Sequence, residues 1–133
     1  MKYTIHQIVL SDADHKHINN VGWELAEKVP KIKAYMNTST FGEFEPGYLL
    51  YYSAVREVEV YKEVGNDLEA VFAHCNDINC YSVKTLGVFG PCRSLSVGDI
   101  IERQGGRIFL CERFGFSEIL LTRKGMILDK VGE

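Results

Sequence analysis

The stretch RSLSVGDIIERQGGRIFLCERFGFSEI, Arg93 to Ile119, gathers most of the residues whose types suit ligand chemistry. Arg93, Ser94, Ser96, Asp99, Arg103 and Arg107 follow one another closely there. Guanidinium groups bind phosphates and carboxylates through paired N–H donors. One reading is therefore a small-ligand or nucleotide site on the Arg93–Asp99 loop. Five of the six arginines, Arg93, Arg103, Arg107, Arg113 and Arg123, lie in the last third of the chain. The competing reading is a solvated strand face whose arginines are balanced by Glu102, Glu112 and Glu118.

Other chemistries fit the sequence less well. Cys75, Cys80, Cys92 and Cys111 are spaced C-x4-C-x11-C-x18-C. Structural zinc sites bring their ligands in close pairs, often two residues apart, so scattered buried thiols are the simpler reading. Pro91-Cys92 lacks the second cysteine of a zinc deaminase motif. Asp12–Asn20 opens like a calcium loop, but Lys16 takes a ligand position and no glycine or terminal glutamate follows in register. His15 and His17 read as surface residues at a helix start. His74 and Cys75 are adjacent on a predicted helix and point in different directions. Ser94 and Ser96 have no G-x-S-x-G context, and there is no phosphate-binding glycine motif. The sequence thus points to no metal, no cofactor and no catalytic residue.

Aromatic residues concentrate in the middle of the chain: Phe41, Phe44, Tyr48, Tyr51, Tyr52 and Tyr61. Tyrosines suit protein interfaces, so Phe44, Tyr48, Tyr51, Tyr52 and Tyr61 are candidates for a partner surface. Core and rim packing is the alternative.

These residues need elements to hold them. Lys2–Leu10 is rich in β-branched and aromatic residues and reads as a first strand. Ser11 followed by Asp12 and Asp14 is an N-cap with acids in the first turn. Ile18, Val21, Leu25 and Val29 predict a helix over Asp12–Val29, with Gly22 as a weak point and Pro30 as its end or kink. Ile32, Tyr35 and Met36 continue a short apolar face. Asn37–Gly47 reads as a loop and Tyr48–Val64 as a strand. Asn66 and Glu69 resemble a capping box before an amphipathic helix, Asp67–Cys75, which Asn76 is suited to end. A short strand is placed near Tyr81–Thr85. Gln104-Gly105-Gly106 joins two strand-like runs, Val97–Arg103 and Arg107–Phe114, as a hairpin. Strands at Ser117–Thr122 and Met126–Asp129 follow, joined at Lys124-Gly125. The predicted fold is α+β: one small domain over 1–133, a mostly antiparallel sheet, two helices and a C-terminal hairpin or meander.

The 133 residues suffice for one core. A net charge of −3 and a pI of about 5.8 make a nucleic-acid partner a poor expectation. No stretch approaches the roughly 20 apolar residues of a membrane span, and the N-terminus turns polar too soon for a signal peptide. A cytoplasmic location with reduced thiols is expected, and no membrane partner.

The Arg93–Ile101 segment, with Phe109–Cys111, Gly115-Phe116 and Glu118-Ile119, resembles the YodL-like domain of small proteins from phages, integrative elements and firmicutes. The resemblance covers about Tyr48–Leu121, and Asp12–Gly47 looks like a helical insertion outside it. It implies a mobile-element setting and no particular reaction. The resulting expectation is a non-catalytic accessory protein. It would bind a host or mobile-element protein, in one form as an inhibitor of a nuclease or defence system, and assembly into a homo-oligomer stays open.

Overall fold

The computed structural model describes residues 1–61, 66–78 and 82–131. The far end of the predicted second strand, Cys80 and the start of the strand placed at Tyr81 lie outside the described residues.

The first strand, β1 (Lys2–Ile8), alternates along its length: Tyr3, Ile5 and Gln7 face one side, Thr4, His6 and Ile8 the other. It lies inside the sheet, antiparallel to β2 (Tyr52–Val60) on one side and β4 (Ile100–Arg103) on the other. With β3 (Val83–Val88), β5 (Ile108–Cys111), β6 (Phe116–Thr122) and β7 (Gly125–Lys130), the order is β3-β2-β1-β4-β5-β6-β7, antiparallel throughout. The expected α+β fold with a C-terminal meander is what the chain adopts. Glycines make the β4–β5 hairpin: Gly105 and Gly106 have φ of 108° and 104°, and Gly106 N–H closes on the Arg103 carbonyl at 3.0 Å.

Three α-helices occur among the described residues, where two were expected: α1 (Asp12–Ala26), α2 (Pro30–Ser39) and α3 (Asp67–Cys75). Pro30 is the reason. It cannot continue α1, but its fixed φ suits the first turn of a helix, so it opens α2. The predicted loop therefore begins after Ser39. A second correction concerns Tyr48–Tyr51. The aromatic and apolar run there reads as the start of a strand, yet Pro46–Tyr51 forms a 3-10 helix, and β2 starts only at Tyr52. The predicted strand ends at Val97–Asp99 and Glu112–Phe114 lie outside the sheet: Val97-Gly98 is a turn and Arg113-Phe114 a bend.

Capping follows the sequence. Ser11 Oγ accepts from Asp14 N–H at 3.1 Å while Asp14 accepts from Ser11 N–H at 2.8 Å. Asn66 Oδ1 accepts from Glu69 N–H, and Asn76 closes α3 by donating to the Phe72 and Leu95 carbonyls.

The helices lie on both faces of the sheet. On one, Leu68, Val71 and Cys75 of α3 pack on Tyr3, Ile5, Val58, Ile101, Phe109 and Phe116. On the other, Ala34 of α2 and Tyr48 meet Ile8, and Phe44, Leu49 and Tyr52 meet Ile100, Leu110 and Ile119. Burying each large aliphatic side chain contributes about 1.5–3 kcal/mol. A satellite cluster of Ile18, Ala26 and Ile32 joins α1 to α2.

Candidate functional site

Arg93 and Asp99 sit on the irregular segment that brings the chain from β3 into β4. Asp99 N–H bonds the Ser96 carbonyl at 3.1 Å, closing a turn that aims the carboxylate inward. There Asp99 is 1% exposed. Arg93 Nη1 donates to Oδ1 and Oδ2 at 2.9 and 2.8 Å, Ser96 N–H donates to Oδ2 at 2.9 Å, and Gln7 Nε2 donates to the same oxygen at 3.0 Å. Gln7 also donates to the Arg93 carbonyl at 3.1 Å and accepts from Arg93 N–H at 3.2 Å. Burial pushes the Asp99 carboxyl up, against the opposing pull of Arg93 and the Ser96 amide. Buried to 1% exposure and held by Arg93, Ser96 and Gln7, Asp99 acts as an internal anchor.

Gln7 is the member that the motif reading missed. Its signal was present in the sequence: it occupies a core-facing position of β1, in phase with Tyr3 and Ile5, where an apolar residue is expected. The serines of the loop take part through their main chains, Ser94 as a carbonyl acceptor from Gln7 and Ser96 as the N–H donor.

The candidate ligand residues divide between two places. Arg103 lies across from Tyr3, at the opposite end of β1 from Gln7 and Arg93. Arg107 neighbours Arg103 across the hairpin, stacks over Phe109 at 5.3 Å, and forks onto Glu118 at 2.8 and 2.9 Å. That pair holds the Glu118 carboxyl below its usual value.

The candidate interface aromatics mostly join the segment after α2 to the sheet. Tyr48 is buried and accepts from Asn37 Nδ2, with the Phe44 ring edge-on at 6.3 Å. Tyr52 donates to the Gly98 carbonyl, and burial drives its phenol far above the usual value. Tyr51 packs half-buried beside Tyr48. Tyr61 is half exposed under the Lys84 ammonium.

Among the described residues no three His, Cys, Asp or Glu side chains cluster to hold a metal ion. Cys75 and Cys111 are buried free thiols whose pKa values burial raises, which disfavours their reactive thiolates. His74 bonds the Thr85 hydroxyl at 2.8 Å, and burial with nearby Arg56 lowers its pKa. No helix among the described residues is long and apolar enough to cross a membrane.

One exposed arrangement remains beside the anchor. Gly22, with φ 80° and ψ 161°, breaks α1 and turns its last residues. Trp23, 43% exposed, then stacks on Tyr35 of α2 at 6.5 Å, with 14° between the planes. The Arg93 guanidinium lies 5.7 Å from the centre of the same Tyr35 ring. Tyr35 and Arg93 line a groove of about 280 Å³ together with His15, Leu10, Pro91 and Cys92. Trp23, Tyr35 and Arg93 thus form one strip, of which Tyr35 and Arg93 border the groove. No family model matches the chain, and no curated protein or solved structure matches it either.

Proposed function

We propose that this chain is a non-catalytic phage or mobile-element accessory protein that binds a host or element protein, as an inhibitor of a nuclease or defence system. The observation that carries the binding role is the Trp23–Tyr35–Arg93 strip. Tryptophan, tyrosine and arginine are the types that most often dominate interface energies. These three are held in advance: Tyr35 is in contact with both Trp23 and Arg93, and Asp99 fixes Arg93 through Nη1. Little side-chain entropy is then lost on docking. Among the described residues Asp99 is the partner of Arg93's guanidinium, and it leaves Nε and Nη2 to fork a carboxylate on the partner. The mobile-element setting rests on the resemblance of Arg93–Ile119 to YodL-like proteins.

The test is affinity capture from element-bearing cells, using the wild-type chain and Trp23→Ala, followed by titration of the purified partner. Loss of a hot-spot tryptophan is expected to weaken binding at least about 30-fold, equivalent to about 2 kcal/mol. Equal retention by both chains, or no partner together with turnover of a small molecule, would overturn the proposal.

The second reading is a small anionic ligand in the groove, favoured by Arg93 and His15 on its wall. At about 280 Å³ the groove is at the lower limit for small-molecule sites, which span about 300–1,000 Å³. A thermal-shift screen with nucleotides, repeated on His15→Ala, separates the two readings.

A further inference from the structure

The sheet leaves two edges, and they differ. β3 pairs with β2 through a register shift at Glu57/Val58, the kind of irregularity that blunts an edge. β7 pairs with β6 without a shift: Ile119 lies opposite Leu128, Leu120 opposite Ile127, and Leu121 opposite Met126. Leu120, Leu121, Ile127 and Leu128 are 36%, 60%, 53% and 39% exposed, and they lie on both faces of the hairpin. The centre of β7 has no proline, charge or bulge, the devices that prevent strand addition.

The main chain shows which groups are open. Val131 N–H bonds the Phe116 carbonyl at 2.9 Å, which sets the hydrogen-bonding phase of the ladder. By alternation, Asp129, Ile127 and Gly125 turn their backbone groups toward β6, and Met126, Leu128 and Lys130 turn theirs outward.

We propose that a second copy of this chain adds to this edge, β7 against β7, antiparallel about a two-fold axis through Ile127. Met126 and Leu128 of each copy then exchange main-chain bonds, and the two Ile127 side chains meet as the closer, non-hydrogen-bonded pair. In this register every central row is apolar across the junction. On one face Leu120 and Ile127 continue into Ile127 and Leu120 of the second copy. On the other, Leu121 and Met126 continue into Leu128 and Ile119. The neighbouring registers do less well. Centring on Leu128 places Asp129 against Ile127 and Lys130 against Met126; centring on Asp129 opposes like charges. The identical patch on both copies closes the assembly at two, and the bulged β3 edge works against further strand addition. A six-residue strand with its flanking side chains is small beside the roughly 1,200–2,000 Å² of a standard interface. The dimer therefore belongs to the weak, concentration-dependent class. It is separated from β1 by β4, β5 and β6 and does not depend on the Trp23 strip.

Sedimentation velocity from about 1 to 500 µM, a span that covers micromolar dissociation constants, tests it. The wild type is expected to shift from monomer to dimer. Ile127→Lys, which opposes two ammonium groups on the axis, should stay monomeric, while Leu86→Lys on the β3 edge should dimerise. If Ile127→Lys fails to fold, cross-linking decides in a Cys92→Ser background. Ile127→Cys places two thiols on Cα atoms about 4.5 Å apart, within disulfide reach, and should oxidise to a covalent dimer. Leu128→Cys faces Met126 and should not. A wild type that stays monomeric throughout, a dimer that survives Ile127→Lys, or faster cross-linking through Leu128→Cys would overturn the proposal.

Discussion

At the scale of residues, the centre of this protein is a buried carboxylate with a full set of donors. Arg93 and Asp99 stand six positions apart, a spacing that reads as an open loop able to hold a ligand. The turn at Ser96–Asp99 instead brings the two side chains together, and Gln7 completes the set from β1. A buried charge that loses its partner is left uncompensated. Asp99→Ala leaves the Ser96 amide without its acceptor, removes one of the acceptors of Gln7, and leaves Arg93 without its counter-charge. It is expected to lower stability by about 3–5 kcal/mol in urea denaturation. Asp99→Asn, which keeps an acceptor oxygen, should cost less. Arg93 is legible in the sequence only as a charged candidate ligand residue; its partner Gln7 lies 86 positions away, where no local pattern links them.

At the scale of elements, one glycine decides how α2 meets the sheet. Gly98 has φ 91°, and a Cβ there would lie 2.8 Å from the Thr38 carbonyl carbon and oxygen. The loop into β4 and the end of α2 touch through their backbones, and Tyr52 reinforces the contact by bonding the Gly98 carbonyl. Gly98→Ala combines positive-φ strain, about 1–3 kcal/mol, with overpacking of similar size. We expect a loss of at least about 2 kcal/mol, with faster amide exchange in α2. Gly105→Ala is the control, since only its φ of 108° opposes the substitution and the space around it is open. The turn at Gly98-Asp99 is legible in SVGD, but the reason for glycine is not. Thr38 belongs to the segment that looks like an insertion, and only the packing shows that the loop needs room for it.

At the scale of the whole molecule, the helices cover the sheet as far as the start of β6 and leave Leu120–Thr122 and most of β7 exposed. If β7 pairs with β7, association binds only the folded state and shifts the unfolding equilibrium by mass action. The melting temperature is expected to rise by about 3 °C or more over a hundredfold increase in protein concentration. Ile127→Lys should flatten that dependence. Scanning calorimetry at two concentrations checks both chains.

The sequence by itself determined most of the element types, the caps and the hairpins, because each depends on neighbours a few positions away. Ser11 and Asn66 start their helices, Asn76 ends one, and Gly105-Gly106 turns a hairpin. It also determined the α+β class, through strands that outnumber helices and cluster late in the chain. The tertiary structure alone decided the strand order, with β1 between β2 and β4, because pairing partners lie up to 100 positions apart, as Tyr3 and Arg103 do. It alone decided that the aromatics around Tyr48 fill a seam while Trp23 stays at the surface, because periodicity identifies an apolar residue but not what covers it. And it alone decided the fate of RSLSVGD, where burial turns a motif that suits a ligand into an anchor for the protein's own loop.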